Sequence, residues 1–202
     1  MLNIYTGHVS ALCPQVNDRV LEQLSESRRK RVLSMRNEQG KCQSAAAGLL
    51  LKRALGDVDV DIQAHSIVQG EHGKPVFKDI PLYFNLSHAG DCVVCALADE
   101  PVGIDVEHLS RFEKRIQCER LMERILTEEE KYRGKQNMTV ETALGFWTRK
   151  ESYVKMTGKG LTCDFKSVDT LHGACYVEEM TGDGYRISVC TEKEKSAEAT
   201  WM

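Results

Sequence analysis

The pattern of hydrophobic and polar positions in the first half of the chain has one segment with helical periodicity and three short apolar runs typical of strands. Four elements are predicted from this pattern, in chain order: Gln43–Leu55 as a helix, then Ile62–Val68, Leu82–Leu86 and Cys92–Ala98 as strands. Gly56 is the expected end of the helix, and a turn is expected over Gly70–Pro75. The turn Gly90-Asp91 makes the last two strands antiparallel neighbours.

The second half has a similar mixture of elements but no clear sequence repeat. Its predicted elements are a buried strand over Val102–Val106, a charged helical region over Arg111–Gln136, a helix over Thr142–Thr157 that ends at Gly158, and a hairpin of Tyr176–Met180 with Tyr185–Cys190. Asp99-Glu100-Pro101 is the expected connector between the halves. The pattern therefore predicts an α+β or α/β chain with two lobes.

Composition agrees with a folded protein that has a substantial core. The 202 residues are 42% hydrophobic and 28% charged, with 15 Gly and 4 Pro, which excludes a disordered or collagen-like chain. At about 150 residues per domain, this length predicts one large domain or two packed lobes. The formal charge of −3, from 27 basic and 30 acidic residues, makes nucleic-acid binding an unexpected main role.

No membrane or secretion segment is expected, because every apolar run is far shorter than the roughly 20 residues that span a bilayer. We therefore expect a cytoplasmic protein whose 8 cysteines are mostly reduced. Cys92 and Cys95 form a Cys-x-x-Cys pair inside a predicted strand, and no second pair completes a zinc site. The pair is interpreted as two core thiols, with a redox or metal role as the alternative.

Two carboxylates share one side of the predicted strand Val102–Val106 and its end. Asp105 and Glu107 are two residues apart and therefore face the same way, with Ile104 and Val106 turned into the core. Neighbouring carboxylates repel each other unless a cation or a proton relieves them, and oxygen ligands suit Mg²⁺. A solvated strand end is the alternative.

A second group of polar residues lies on the predicted helix Thr142–Thr157. Trp147, Glu151 and Lys155 are four residues apart and share one helix face. A surface ion pair between Glu151 and Lys155 is the simplest interpretation, but the large aromatic on the same face indicates that this face is not fully solvated.

Three further features could contact an anion. His88 follows a strand, Lys74 lies in a tight turn, and basic residues are frequent from Arg28 to Arg36. Each also has a structural explanation: a structural histidine with its hydrogen bonds satisfied, a solvated turn lysine and a solvated helix face.

Taken in order, these segments resemble the motifs of the 4′-phosphopantetheinyl transferases, and most closely the Sfp type. The motifs are Gly73-Lys74-Pro75, Phe84–His88, Gly103–Glu107, Phe146–Lys155 and the following Lys159–Leu161. The resemblance runs from about Arg28 to about Leu161. The most specific part is Ile-Asp-x-Glu followed by Trp-x-x-Lys-Glu-(x)₃-Lys.

The resemblance implies an α+β, α/β-sandwich-like fold in which two related lobes form a pseudo-dimer in one chain. The lobes would be residues 1–101 and 102–202, with the active site between them, and the protein would be a monomer. Members of the family move the phosphopantetheine arm of coenzyme A onto a serine of an apo acyl or peptidyl carrier protein, releasing adenosine 3′,5′-bisphosphate. Carriers of fatty-acid, nonribosomal peptide or polyketide synthesis all remain open.

Site residues are implied position by position. Asp105, Glu107 and Glu151 would hold Mg²⁺, or Mn²⁺, with the pyrophosphate. Glu151 would also deprotonate the serine, and Lys155 would stabilise or protonate the leaving group. Coenzyme A would be bound by eight residues: Arg28, Arg31, Ser44, Lys74, Ser87, His88, Asp105 and Lys155.

Two positions modify this picture. Gln43 stands where many relatives carry Arg, so that a cationic contact next to Ser44 is expected to be lost. Glu130 stands where relatives often have a supporting acid, and a solvated helix position is its alternative. A carrier-binding relative without catalysis, or an unrelated Mg²⁺-dependent nucleotide enzyme, are the competing functions. The intact motif residues argue against the first, and the missing GxxxxGK[ST] loop argues against the second.

Overall fold

The first half of the chain folds into a sheet and four helices, in a computed structural model that describes residues 1–112, 115–134, 139–160, 163–172, 174–192 and 199–201. Its elements are, in order, β1 (Leu2–His8), α1 (Val9–Leu12), α2 (Asp18–Glu22), α3 (Glu26–Ser34), α4 (Glu38–Gly56), β2 (Ile67–Gln69), β3 (Pro75–Phe77), β4 (Tyr83–Ala89) and β5 (Cys92–Ala98).

The second half begins directly after a short connector and carries the other long helix. Its elements are β6 (Val102–His108), α5 (Arg115–Ile125), α6 (Glu128–Gly134), α7 (Val140–Thr157), β7 (Cys175–Met180), β8 (Tyr185–Thr191) and β9 (Ala199–Trp201). Within the described residues, none of the helices combines the length and the apolar character that a membrane span requires.

Two sheets organise these elements. The first has the strand order β4-β5-β1-β9, in which β1 pairs antiparallel with β5 and parallel with β9. The second has the order β6-β8-β7 and is antiparallel throughout. The strands β2 and β3 form a separate ribbon. The last described strand, β9, therefore adds to the sheet of the first half.

Alternation of apolar side chains along the strands builds two layers of core. On β5, Val93, Cys95 and Leu97 pack with the apolar face of α4, whereas Val94 and Ala96 face the second sheet. Ile104 of β6 lies in that second layer, between the sheets. Because successive strand residues point to opposite sides, a strand that is apolar at every position is buried on both faces.

The two long helices begin at side-chain caps. The Asn37 side chain accepts a hydrogen bond from the backbone N–H of Gln39 (2.9 Å) at the start of α4, and Thr139 accepts from Thr142 N (3.1 Å) at the start of α7. The helix α7 ends at Gly158, whose φ of 70° is left-handed and favours glycine.

The helix α7 approaches β6 very closely at Gly103. A Cβ atom at this position would lie 1.9 Å from the carbonyl oxygen of Ser152 and 2.4 Å from the amide nitrogen of Met156. Both are backbone atoms that cannot move aside, so only glycine permits this contact. The close packing brings the polar side of α7 onto the strand that carries the two carboxylates.

Most predicted elements are confirmed, and two are wrong in part. Only the end of the predicted strand Ile62–Val68 is extended, as β2. The predicted helical region Arg111–Gln136 is divided into a 3₁₀ turn, α5 and α6, and Gln136 lies outside the described residues. Thr127 and Glu130 cause the break, because each side chain accepts a hydrogen bond from the other's backbone N–H, at 3.2 and 2.8 Å, and so starts a new helix.

Candidate functional site

The strand β6 presents Asp105 and Glu107 to the helix α7, while Ile104 and Val106 lie in the core between the sheets. This is the alternation that the sequence predicts. Asp105 is buried, at 5% exposure, and Glu107 is partly buried. Solvated strand-end carboxylates, the alternative, are therefore excluded.

Only one of the two carboxylate oxygens of Asp105 has hydrogen-bond partners among the described residues. Its Oδ1 accepts hydrogen bonds from Ser87 Oγ (3.0 Å) and from Lys155 Nζ (2.6 Å). Its Oδ2 is buried and has no hydrogen-bond partner among the described residues. A buried carboxylate oxygen without a partner is costly, and a cation at that oxygen would relieve the cost.

Glu107 lies beside Trp147 and Arg111. Its carboxylate accepts from Trp147 Nε1 (3.3 Å) and forms an ion pair with Arg111, whose guanidinium lies 4.6 Å from the centre of the Trp147 ring. Burial and the neighbouring Asp105 raise the pKa of Glu107, although Arg111 opposes them. Arg111 is a residue that the sequence interpretation missed, since it lies at the edge of a region predicted only as helical.

Glu151 completes a group of three interacting carboxylates. Burial raises its pKa, Asp105 and Glu107 raise it further, and Lys155 and Arg111 act in the opposite direction. Across the described residues, no three acidic, histidine or cysteine side chains already form a preassembled metal site. Lys155 and Arg111 neutralise Asp105 and Glu107 instead.

The donor set nevertheless suits a divalent cation with oxygen ligands. Three carboxylates interact here with only two cations, Lys155 and Arg111, and one buried oxygen of Asp105 has no hydrogen-bond partner among the described residues. We refer to Asp105, Glu107, Glu151 and Lys155 as the candidate site.

Lys155 connects the two halves of the chain. Its Nζ donates to Asp105 and to the Ile104 carbonyl (3.1 Å) in the second half, and to Ser87 Oγ (2.9 Å) in the first. Its ion-pair partner is thus Asp105, and the simple surface pair with Glu151 is wrong. Asn85 adds a contact that the sequence interpretation missed, because its Oδ1 accepts from Ile104 N (2.9 Å).

A cationic cleft lies in the first half of the chain and reaches Phe84 of β4, the strand that also carries Ser87. It has a volume of about 610 Å³ and is lined by Arg28 and Arg31 of α3 and by Gly73 and Pro75. Burial lowers the pKa of Arg28 to about 10. Arg28 also donates to Ser44 Oγ at 3.5 Å, so two predicted ligand contacts lie together.

His88 lies among these positive charges. The His88 side chain is exposed, yet partial desolvation by its surroundings lowers its pKa, Lys155, Arg28 and Arg31 lower it further, and Asp105 opposes the shift. The imidazole is therefore neutral at neutral pH, in a field that favours anions. The predicted grouping of His88 with the basic run of α3 agrees with this arrangement.

Lys74 is placed differently from the other predicted anion contacts. Its Nζ donates to the backbone carbonyls of Val102 (3.1 Å) and Met156 (3.0 Å), and burial lowers its pKa to about 8. Its neighbours Gly73 and Pro75 line the cleft, but its own amino group faces the junction of the two halves. The interpretation of Lys74 as a solvated turn residue is wrong.

Gln43 and Glu130 have structural contacts of their own. The Gln43 side chain donates to the Gly90 carbonyl (2.9 Å) and so joins α4 to the β4–β5 turn. Glu130 has 0% exposure and pairs with Lys150 at 2.8 Å, so that a solvated helix position is wrong.

The Cys-x-x-Cys pair is not a metal or redox site in this fold. Cys92 faces the core between the sheets, and Cys95 faces α4. Three residues along a strand place two side chains on opposite faces, so their thiols cannot converge. The interpretation as core thiols is confirmed.

Comparison with known proteins agrees with the resemblance found in the motifs. The sequence model of the 4′-phosphopantetheinyl transferase superfamily matches residues 101–201. The 4′-phosphopantetheinyl transferase psf-1 of Bacillus pumilus is 35% identical over 63% of this chain and 60% of its own length. The 4′-phosphopantetheinyl transferase Sfp of Bacillus subtilis is 30% identical, over 59% of this chain and 60% of its own length.

A third relative is covered more completely. The 4′-phosphopantetheinyl transferase AcpT of Salmonella typhimurium is 36% identical over 72% of this chain and 74% of its own length. The chain thus spans less than two thirds of the two Bacillus relatives and about three quarters of AcpT. The family model covers the segment that carries β6 and α7.

Proposed function

The chain belongs to the 4′-phosphopantetheinyl transferase superfamily, and we propose that it moves the phosphopantetheine arm of coenzyme A onto a serine of an apo carrier protein. The other product is adenosine 3′,5′-bisphosphate. Asp105 carries this proposal, because one of its oxygens is held by Lys155 and Ser87 while the other, beside further carboxylates, is buried without a hydrogen-bond partner in the described part of the chain.

We assign Asp105, Glu107 and Glu151 to a divalent cation, Mg²⁺ or Mn²⁺. When bound, the cation would neutralise negative charge on the pyrophosphate of coenzyme A. The fit rests on the excess of carboxylate charge among these residues. Arg111 would release Glu107 for this purpose, since it forms the present ion pair with that carboxylate.

Glu151 is proposed to accept the proton of the carrier serine. Burial and two neighbouring carboxylates raise its pKa, and a carboxylate within hydrogen-bond reach of a hydroxyl group can act as a general base. The serine oxygen could then attack the β-phosphorus of coenzyme A while the 3′,5′-bisphosphate departs.

Lys155 is proposed to stabilise the leaving phosphate. Its ammonium donates hydrogen bonds to Ser87 of β4 and to Asp105 of β6, and its charge helps to lower the pKa of His88. Negative charge that builds on the departing oxygen is stabilised most by a donor that is already in place.

The cleft of about 610 Å³ is proposed to bind the nucleotide end of coenzyme A. Arg28 and Arg31 would contact phosphate, and Ser44, Ser87 and His88 would supply hydrogen bonds. For Lys74 we propose a contact through its backbone or after release of its two carbonyl partners. A site between residues 1–101 and 102–202 would need only one copy of the chain, which supports a monomeric pseudo-dimer.

A transfer assay tests this function. The protein is incubated with coenzyme A, Mg²⁺ and a panel of apo acyl, peptidyl and polyketide carriers, and each carrier is weighed by intact mass spectrometry. We expect the mass of at least one carrier to increase by one phosphopantetheine. The increase should disappear with EDTA and with Asp105→Ala, and it should return when Mg²⁺ or Mn²⁺ replaces the chelated metal.

Two results would contradict the proposal. Full transfer in EDTA would exclude the cation, and unchanged transfer by Asp105→Ala would exclude the assigned ligand. Carrier binding without any mass change would instead support the non-catalytic alternative.

A further inference from the structure

A row of polar side chains crosses the second sheet beneath α7, from the candidate site to the far strand. The strand register pairs Asp105 of β6 with Ser188 of β8, and Ser188 with Glu178 of β7. Residues directly opposite each other in antiparallel strands project from the same face. Glu178 therefore lies on the same side of the sheet as Asp105, two strands away.

Glu178 collects the hydrogen bonds of this row. It accepts from Arg149 Nε (2.9 Å), Arg186 Nη2 (2.7 Å) and Ser188 Oγ (3.1 Å). Ser188 in turn shares a 2.7 Å hydrogen bond with Thr148, and both hydroxyl groups belong to fully buried residues. Arg149 and Thr148 are residues of α7, so this network ties the helix to β7 and β8.

Other residues of α7 tie the helix to β6 by different contacts. Lys155 bonds to Asp105, and Trp147 bonds to Glu107. In the proposed function these carboxylates and Lys155 exchange partners when coenzyme A and a cation bind. The Glu178 network involves none of the residues assigned to ligands and can remain intact throughout.

We propose that Glu178 is a positioning residue that keeps α7 in register with β6 while the contacts on the ligand side exchange. Arg149 is two residues before Glu151, so its tether to Glu178 fixes the rotation of the helix at Glu151. The inference rests on the proposed function, and it concerns how accurately Glu151 meets the cation held by Asp105 and Glu107.

The test combines direct cation binding with kinetics. Mn²⁺ binding is measured by electron paramagnetic resonance in the presence of coenzyme A, for the wild type, Glu178→Gln and Arg149→Gln. We expect both variants to bind Mn²⁺ roughly tenfold more weakly, in line with other residues that orient metal ligands. The kcat should fall by a similar factor, whereas KM for coenzyme A should stay within about twofold, because the cleft lies in the other half.

Val177→Ala is the matched control. Val177 precedes Glu178 on β7 but packs into the core on the opposite face of the sheet. Its truncation should lower the melting temperature and leave Mn²⁺ binding unchanged. Arg149→Gln protects the test against misfolding of Glu178→Gln, since Arg149 is 29% exposed.

The outcomes separate this inference from the proposed function. If the wild type neither binds Mn²⁺ nor modifies a carrier, the proposed function fails and this inference with it. If the wild type does both but the two variants bind Mn²⁺ as tightly as it does, only the positioning role is wrong. Equal loss of Mn²⁺ binding in Val177→Ala would also overturn it, because the effect would then follow stability alone.

Discussion

On α7, Lys150 and Lys155 each pair with a buried carboxylate, and the two pairs differ in how completely their polar atoms are satisfied. Lys150 and Glu130 both have 0% exposure, and the lysine ammonium also donates to the carbonyls of Phe165 and Val168. Glu130 accepts further hydrogen bonds from the Thr127 and Thr170 backbone N–H groups. This pair has no unsatisfied charge that a ligand could use.

The Lys155 pair is left open. Lys155 is 28% exposed, and its partner Asp105 keeps one buried oxygen without a hydrogen bond among the described residues. Burial opposes ionisation of Glu130, yet hydrogen bonds from Lys150 and Thr170 lower its pKa, whereas the pKa of Glu151 near Lys155 is raised. The helix α7 thus carries one ion pair whose polar atoms are all satisfied, which serves stability, and a second whose polar atoms are not, which is available for binding a ligand.

The largest effect is expected from a change at Glu151, near the incompletely satisfied Lys155–Asp105 pair. Glu151→Gln should lower the transfer rate by roughly 10²–10⁴-fold, because the variant keeps the shape but loses the base. The melting temperature should stay constant or rise, because removal of this carboxylate relieves repulsion with Asp105 and Glu107. Rates come from carrier mass shifts, and stability comes from thermal unfolding of the same samples.

Exchanging the charges of Glu151 and Lys155 tests whether the transfer rate depends on which position carries the carboxylate. Glu151→Lys combined with Lys155→Glu keeps the net charge of this helix face, but it puts an ammonium where the carboxylate is required and a carboxylate beside Asp105. We expect no recovery of transfer relative to the single variants. Substantial transfer by this double variant would contradict the role of this helix face.

Changes to the Lys150–Glu130 pair should lower the free energy of unfolding rather than the transfer rate. Glu130→Gln or Lys150→Met leaves one buried charge without its partner, which should cost about 3–5 kcal/mol of unfolding free energy. At a temperature where the variants remain folded, transfer per molecule should stay near that of the wild type. Urea unfolding measures the first effect, and a loss of activity without a loss of stability would mean that this pair is catalytic.

A smaller effect is expected at the cleft. Removal of the 3′-phosphate from coenzyme A deletes charge-assisted contacts worth about 1.5–3 kcal/mol, so 3′-dephospho-coenzyme A should bind more weakly to the wild type. His88→Ala should reduce this difference between the two ligands. Lys74→Ala should reduce it less, because its ammonium faces two carbonyls of the second half. Calorimetry of both ligands with each variant checks this order.

The smallest expected effect is the pH dependence of stability. The contributions of Glu130 and Glu151 to it should have opposite signs. The pKa of Glu130 is lowered from 4.5, so its contribution is present above pH 4.5 and is lost as the pH falls through the lowered value. The pKa of Glu151 is raised, so its ionised form destabilises the fold at neutral pH and protonation relieves this on acidification.

The midpoints of urea unfolding, measured from pH 7 downward, test the sign of each contribution to stability. Relative to the wild type, Glu130→Gln should be less stable at pH 7 and Glu151→Gln at least as stable. Both differences should shrink as the pH falls, because the wild-type side chains then become protonated. Differences of the same sign at pH 7 would contradict the contrast between the two sides.

Local sequence patterns predicted much of the second half because their causes are local. Alternation placed Ile104 and Val106 in the core and Asp105 on the other face, and the spacing of Trp147 and Lys155 put them on one side of α7. The pattern did not predict β1, a strand in the middle of the first sheet. Its pairing with β5 and β9 joins segments that are far apart in the sequence.

The sequence by itself determined the order of the motifs, the two long helices, the orientation of the strand carboxylates and the resemblance to a transferase family. Only the tertiary structure decided which charges meet. Lys155 pairs with Asp105 rather than Glu151, Lys74 turns to backbone carbonyls, and Glu130 is buried against Lys150. These partners are 20 or more residues apart and are selected by the way α7 packs against the elements around it, which helical and strand periodicity do not encode.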